Sequence, residues 1–340
     1  MKTLIIRTDK LGDFYVTMPY INSLVKKFGK KNIDIVVSEN IFEHFKEKDF
    51  FFQKIYSFPH KNFYKKIKLI FEIKKNFYEN IIVFDGKDRS IILAILLNGI
   101  KKFLFTEERK LNFFSRIILS KKKYNVLIDN KIDTYNHLFT KLMEKLDVKV
   151  SKSDLRFLEY ENLDNLNLPK DLYSNLKNYS LIHIDEKWFS KFYINNYIDI
   201  APTKEDFFVF IVNFLKKKKS NLIITTGLIH LPFVNDFKEK YLSKINENIF
   251  EYSYDDLKAI LILKTSIKDL EILSMNSQNI ITCNGPITQL AGSFNINVID
   301  ILEEKLENWY NRHISNKENY NKLFRKNFNE LSTEILNKIK

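Results

Sequence analysis

Short apolar runs alternate with stretches of helical apolar spacing along most of this 340-residue chain. The runs at residues 4–6, 33–37, 55–58, 81–84 and 103–105 are too short for helices and lack the polar alternation of half-exposed strands. Strands apolar on both sides belong in a parallel sheet covered by helices on each face. Between them, residues 40–48, 62–78 and 88–98 have helical periodicity, and the second sets Phe63, Ile67, Ile70 and Phe71 against lysine-rich positions. A helix over 131–147 follows, with His137, Leu138, Leu142 and Leu146. The alternation predicts a doubly wound α/β domain.

Residues 151–178, with Pro169 and scattered Asn and Asp, lack periodicity and read as a connector. A second alternation then opens with a strand at 179–184. Thr203 with Asp206 forms a near capping box for a helix running to about 219. A strand at 222–226 ends at Gly227, where a glycine lets backbone approach a ligand closely. Residues 257–263 are strongly apolar, Ser266 with Asp269 caps another helix, and 280–282 is a strand. Pro286 then opens a helix, a favoured position for a residue without an N–H, and a strand follows at 298–301. Residues 316–340 read as a helix with Leu323, Phe328, Leu331 and Ile335 on one face. The division expected is 1–165, 166–315 and a closing helix, 316–340, packing back on the first domain. No repeat of 20–50 residues is present.

Composition narrows the classes. With 45% hydrophobic and 14% aromatic residues, two cores can form and wholesale disorder is excluded. One cysteine, Cys283, leaves no internal disulfide and no cysteine zinc cluster, and suits a reducing compartment. No second ligand stands at metal spacing from His137, so no metal is expected. The net charge of +13 suits a partner bearing phosphates, or lysines spread over solvated faces. Nucleic acid is not the expected partner, because no helix-turn-helix, finger or RNA-binding string appears. No stretch reaches the roughly 20 apolar residues of a membrane span, and the N-terminus enters a strand directly, so a cytoplasmic protein without a signal peptide is expected. Residues 106–123 mix Arg109, Lys110 and Arg116 with Phe113, Phe114 and Ile117. They read either as a core helix or as a peripheral contact with an anionic inner membrane face.

Chemistry concentrates in a few strings. The first nineteen residues, MKTLIIRTDKLGDFYVTMP, read as strand, polar loop, a turn at Gly12-Asp13, and a helix from Phe14. In open α/β sheets ligands bind beyond the carboxyl ends of strands. Asp13 is there either a cap or a general base. In the segment 84–105, Arg89 either binds an acidic acceptor or decorates a helix start. Lys187, after the strand at 179–184, is a flexible point charge suited to phosphate. The string CNGPITQLAGSFNINVIDI at 283–301 opens a helix whose N-terminus is a ready phosphate site. No G-x-G-x-x-G follows the first strand, which disfavours a dinucleotide oxidoreductase.

Taken together these strings resemble the lipopolysaccharide heptosyltransferases, family nine of the glycosyltransferases. Ile5, Ile6, Arg7, Asp9, Gly12, Asp13 and Pro19 match its signature I-I-R-x-D-x-x-G-D-x-x-x-x-x-P, and Asp85, Arg89, Ser90 and Gly99 match its fourth strand and the following helix. The resemblance implies an α/β fold of GT-B type, with two Rossmann-like doubly wound parallel-sheet domains facing a central cleft. It makes Asp13 the general base and assigns Arg7, Asp9, Gly12, Asp85 and Arg89 to the acceptor. Lys187 would hold the donor's diphosphate, although Trp188 follows it here without the family's proline. Asn284, Gly285, Pro286, Ile287, Thr288 and Gln289 fall on the donor motif D-T-G-x-[ST]-H, with Asn and Gln where it has Asp and His. Gly227 joins them as a donor candidate. The implied activity is transfer of a heptose or hexose from a nucleotide-diphosphate sugar, an ADP-sugar favoured, to a lipopolysaccharide-type or other saccharide acceptor. No cofactor or metal is called for. The alternatives are a nucleotide-sugar epimerase, which asks for a further acid–base pair, and a non-catalytic sugar- or nucleotide-binding relative.

Overall fold

The computed structural model describes residues 2–45, 52–107, 124–129, 134–151, 154, 178–189, 198–227, 229–294, 296–314 and 318–339. The chain divides into two compact units, Met1–Phe157 and Leu158–Lys340. The expected 106–123 helix and most of the 151–178 connector lie outside the described residues.

In the first unit six parallel strands lie in the order β3-β2-β1-β4-β5-β6. They are β1 (Thr3–Arg7), β2 (Ile33–Ser38), β3 (Lys54–Phe58), β4 (Tyr78–Val83), β5 (Gly99–Glu107) and β6 (Tyr124–Asp129). Ile5 pairs with Ile35 on one side and Ile82 on the other, and all three are fully buried. The helices are α1 (Leu11–Phe28), α2 (Glu39–Phe45), α3 (Phe63–Lys74), α4 (Asp88–Leu96) and α5 (Tyr135–Lys145). Successive strand residues face opposite ways. Leu4, Ile6, Ile81 and Val83 accordingly share one core with Leu69 and Ile73 of α3 and Leu93 and Ala94 of α4. Residues 14–24 of α1 are all buried, and Tyr20 reaches α5 through a 2.8 Å hydrogen bond to Asn136 and an edge contact with Phe139.

The chain rises through β1, β2 and β3 on one side, then crosses to β4, β5 and β6 on the other. The strand order therefore reverses between β1 and β4. In the second unit the order is β14-β13-β12-β7-β8-β11-β10-β9, formed by β7 (Tyr179–Ile184), β8 (Asn221–Thr226), β9 (Ser243–Lys244), β10 (Ile249–Tyr254), β11 (Leu257–Ile262), β12 (Asn279–Cys283), β13 (Asn297–Leu302) and β14 (Tyr320–Phe324). The chain moves from β7 to β8, goes out to the edge at β9, comes back through β10 to β11 beside β8, and crosses to β12, so the order reverses between β7 and β12. Its helices are α6 (Lys204–Lys218), α7 (Pro232–Tyr241), α8 (Ile267–Met275), α9 (Pro286–Phe294), α10 (Glu307–Asn311) and α11 (Phe328–Lys338).

Four expectations need correction. Gly12 and Asp13 do not form a turn before the first helix; α1 begins at Leu11 and takes both into its first turn. An acid there is favoured by the positive end of the helix dipole. The second sheet is not all parallel, because β10 and β11 form an antiparallel hairpin turning at Asp255, where φ is +51°. β10 lies between β11 and the two-residue edge strand β9. Residues 316–340 are not one helix, since Tyr320–Phe324 extends the sheet beside β13. Lastly, α11 packs on α6 of its own unit. Phe328 sets its ring 5.9 Å from Phe207 and 5.7 Å from Phe210, and Leu331 and Ile335 enter the same core.

Leu331 is fully buried in that core, so Leu331→Ala should destabilise the second unit by about 2–5 kcal/mol. Urea unfolding followed by a probe within that unit checks this. A cost below about 1 kcal/mol would place the helix elsewhere.

Candidate functional site

Strand-order reversals are where open α/β sheets leave a crevice at their carboxyl ends. In the first unit that place is the loop after β1, Thr8 to Lys10, beside the loop after β4, Phe84 to Lys87. Asp85 is buried and ties the two loops, accepting from the amide of Thr8 at 2.5 Å and from the amide of Lys87 at 3.2 Å. Arg89, at the start of α4, is exposed and donates to Thr8 twice, through Nε to the hydroxyl at 2.8 Å and through a terminal nitrogen to the carbonyl at 2.6 Å. Thr8 in turn meets Ser90, 2.9 Å between hydroxyls.

Arg7 is only 4% exposed. Its terminal nitrogens donate to the carbonyls of Phe84 and Asp13. Its Nε lies 3.0 Å from a carboxylate oxygen of Asp9, an ion pair too poorly aligned to be a hydrogen bond. Arg7 is thus turned inward and holds β1, the β4 loop and the first turn of α1 together. The expected contact with an acceptor is not available to it. Asp9 keeps 9% of its side chain exposed. Burial pushes its carboxyl up to about 7, with Asp85 and Asp13 adding repulsion and Arg7 pulling the other way. Asp13 is half-buried in the first turn of α1, beside Gly12. Among the described residues no hydrogen bond or ion pair reaches its carboxylate, which leaves it open to a substrate proton. A pocket of about 230 Å³ opens alongside, lined by Thr8, Ser38, Glu39, Phe58, His60 and Arg89. Apart from Arg89 its lining carries no motif; it is made by the end of β2, beside β1, and the end of β3, beside β2.

The second reversal gathers the loops after β7 and β12. Asp185 caps a short 3₁₀ turn by accepting from the amide of Lys187 at 3.1 Å. Trp188, 1% exposed, fixes that turn by donating from its indole to the carbonyl of His183 at 3.1 Å. Lys187 points across to the β12 loop, where its ammonium donates to the carbonyl of Asn284 and lies 3.6 Å from Asp185. A Cβ at Gly285 would come 2.7 Å from that ammonium. Glycine at 285 is what lets the lysine lie over the entrance to α9.

Behind the loop, Asp300 on β13 is fully buried. It accepts from the Asn284 amide at 3.0 Å, the Thr288 hydroxyl at 3.2 Å and the Tyr320 hydroxyl at 2.9 Å. Burial outweighs these donors and pushes its carboxyl up to about 6. Arg325 follows β14 and is 5% exposed; it donates to the carbonyls of Ile198 and Lys187 and sits 3.7 Å from Glu303. Nothing in the sequence pattern marks Arg325 or Asp300. His183 is buried, with its Nδ1 3.0 Å from the Thr225 hydroxyl. Burial and then Lys187 push it down to about 3, so the ring stays neutral.

Of the expected donor residues, Lys187, Asn284, Gly285 and Pro286 are gathered at this mouth and partly exposed. Ile287, Thr288 and Gln289 face inward at 5%, 3% and 5% exposure. Ile287 lies in the core, and Thr288 joins the Gly285 amide to Asp300. Their side chains therefore shape the helix entrance rather than line it. The amides at 287 and 288 still belong to a first turn with no preceding helical acceptors. Gly227 follows β8, and a Cβ there would meet nothing within 4 Å. No three His, Cys, Asp or Glu side chains gather as metal ligands among the described residues.

Compared by sequence, the chain matches no protein-family model and no curated protein. By structure it is similar to the glycosyl transferase family 9 protein of Veillonella parvula DSM 2008, 15% identical, with 98% of this chain and 87% of that one covered and a TM-score of 0.67. The E. coli heptosyltransferase WaaC with ADP gives 12% identity, 99% and 100% coverage and a TM-score of 0.66. The E. coli ADP-heptose lps heptosyltransferase II gives 9%, 99% and 97%, and 0.61. The chain has the fold of the family-nine glycosyltransferases. That is the α/β fold of GT-B type expected from its sequence, reached at identities too low for sequence comparison to find.

Asp300 carries a pH signature. An aspartate ionises near 4 in an unfolded chain, whereas Asp300 resists ionisation in the folded unit until about 6. Its contribution to stability is therefore full below about 4, lost as pH rises towards 6, and flat above. Thermal melts of wild type and Asp300→Asn between pH 4 and 7 should differ in slope only in that window, by a total on the order of 3 kcal/mol. Parallel curves would refute a resisted charge at this position.

Proposed function

We propose that the chain is a heptosyltransferase-like glycosyltransferase that moves a sugar from a nucleoside-diphosphate donor to a saccharide acceptor. The observation carrying this reading is that the motif residues of each unit fall at its strand-order reversal, and that the two reversals carry opposite chemistry. The first presents the open carboxylate of Asp13. The second presents the Lys187 ammonium over the N-terminus of α9.

In this reading the first unit holds the acceptor and the second holds the donor. The acceptor hydroxyl oxygen attacks the anomeric carbon, its proton passes to Asp13, and the bond from that carbon to the diphosphate oxygen breaks. The electron pair stays on the leaving diphosphate. Lys187 and the first-turn amides of α9 balance that charge, and such preset dipoles and charges usually supply the largest share of the rate enhancement. Arg89, exposed beside the 230 Å³ pocket, is assigned to an anionic group of the acceptor. WaaC, similar in fold, has been solved with ADP and with ADP-2-deoxy-2-fluoro heptose, which supports an ADP-sugar as donor. A lipopolysaccharide-type saccharide is the acceptor class of this reading.

Calorimetric titration with ADP-, GDP- and UDP-sugars tests the donor half. One nucleotide sugar should bind, and Lys187→Ala should weaken it by about 10–100-fold, the worth of one charge-assisted contact. Gly285→Ala keeps the lysine but forces its ammonium aside, and should also weaken binding while the melting temperature stays near wild type. Asp13→Asn should bind donor as wild type does and transfer about 10²–10⁴-fold more slowly. A folded protein that binds none of these nucleotides, or full turnover by Asp13→Asn, would sink the reading.

A further inference from the structure

The helix α3 presents an anomaly. Its inner side, Leu69 and Ile73, is buried in the first unit's core. At 100° per residue the opposite side carries Tyr64, Phe71 and Lys75, flanked by Lys74 and then Phe63 on one margin and by Lys68 on the other. An outward face normally carries polar residues. Here Phe63 is 70% exposed, Tyr64 83%, Phe71 64%, and Phe77 just beyond the helix 61%. Four large aromatic side chains in fifteen residues, all facing water, form the kind of surface that marks an interaction site.

The charges around them say what kind of site. Lys61, Lys65, Lys68, Lys74 and Lys75 are all exposed on this segment. The nearby acids are engaged or few: Glu72 is paired with Lys54 at 2.7 Å on the flank toward β3. Aromatic rings at the level of the headgroups, flanked by long lysine stems, are the composition of a helix lying on an anionic bilayer. A protein partner of ordinary chemistry would be expected to meet acids as well as bases on such a face. The neighbouring helix α4 covers the same side of the sheet and also leaves Ile92 and Leu96 exposed, at 55% and 45%.

We infer that the outward face of α3 docks the first unit on an anionic lipid surface, with the rings of Phe63, Tyr64 and Phe71 entering the headgroup region and the lysines pairing with lipid phosphates. The helix starts a few residues after β3, at the same carboxyl edge of the sheet that bears Asp13, Arg89 and the 230 Å³ pocket. Docking through this face brings that edge next to the lipid.

Vesicle co-sedimentation of the whole protein without any nucleotide sugar tests this independently of transferase activity. Binding is expected to vesicles of equal parts phosphatidylcholine and phosphatidylglycerol and not to phosphatidylcholine alone, and to weaken with salt. Each lysine near such a surface contributes roughly five-fold in partitioning. Phe63→Ser with Tyr64→Ser and Phe71→Ser, and separately Lys68→Glu with Lys74→Glu and Lys75→Glu, should each lower binding at least about ten-fold at that scale. All six side chains are exposed, so circular dichroism should be unchanged. Lys216→Glu with Lys217→Glu, in the second unit, should bind as wild type does. The inference is overturned if wild type ignores anionic vesicles, or if both α3 variants bind undiminished. It is equally overturned if sedimentation in the absence of lipid shows a dimer that the aromatic variant dissolves.

Discussion

A guanidinium that has left water must find acceptors for its donors, and two such groups fix both mouths of this protein. Arg7 spends its terminal nitrogens on the carbonyls of Phe84 and Asp13. Arg325 donates from Nε to the carbonyl of Ile198 and from a terminal nitrogen to that of Lys187. Loops beyond the ends of parallel strands have no ladder to hold them, and a planar fork with five donors can hold several backbone groups at once. Removing such a guanidinium leaves buried carbonyls without donors, at about 1–3 kcal/mol each. Each arginine thus fixes the residue next to it in function: Arg7 the turn that bears Asp13, Arg325 the turn that bears Lys187.

What this preset geometry supplies is low reorganisation. The Asp13 carboxylate on a helix's first turn and the Lys187 ammonium laid over another helix's N-terminus are held in place before any ligand arrives, as the proposed reaction requires. The glycine at 285 belongs to the same scheme, because the space a side chain would fill is the space the ammonium occupies. The backbone there is ordinary; a larger residue would displace the ammonium rather than strain the chain.

Legibility in the sequence follows the physical range of each signal. The doubly buried strands, the helix that Pro286 opens and the two reversal loops can be read because short-range pattern sets them. Residue direction cannot. Arg7 is a signature residue but points inward, and Thr288 is spent on Asp300, since burial is decided by what the rest of the chain packs against. Strand β10 has one wet face, and Tyr320–Phe324 resembles helix in its apolar spacing, so neither announces itself as a strand. Helix α3 reads in sequence as one apolar face. Leu69 and Ile73 form the buried side, while Phe71 stands on the other with Phe63 at its margin. Arg325 belongs to no motif and becomes visible only when β14 brings it beside Lys187.

The link between Asn284 and Asp300 has a consequence for how this surface can vary. Asn284 stands where the resembling family has an acid, and its amide nitrogen lies 3.0 Å from the Asp300 carboxylate. An acid at 284 would set two carboxylates against each other at that separation, and like charges so close must share a proton. The carboxylate of this chain stands one layer further in, on the strand. An ionised acid therefore fits at 284 only in a chain whose position 300 has given up its carboxylate.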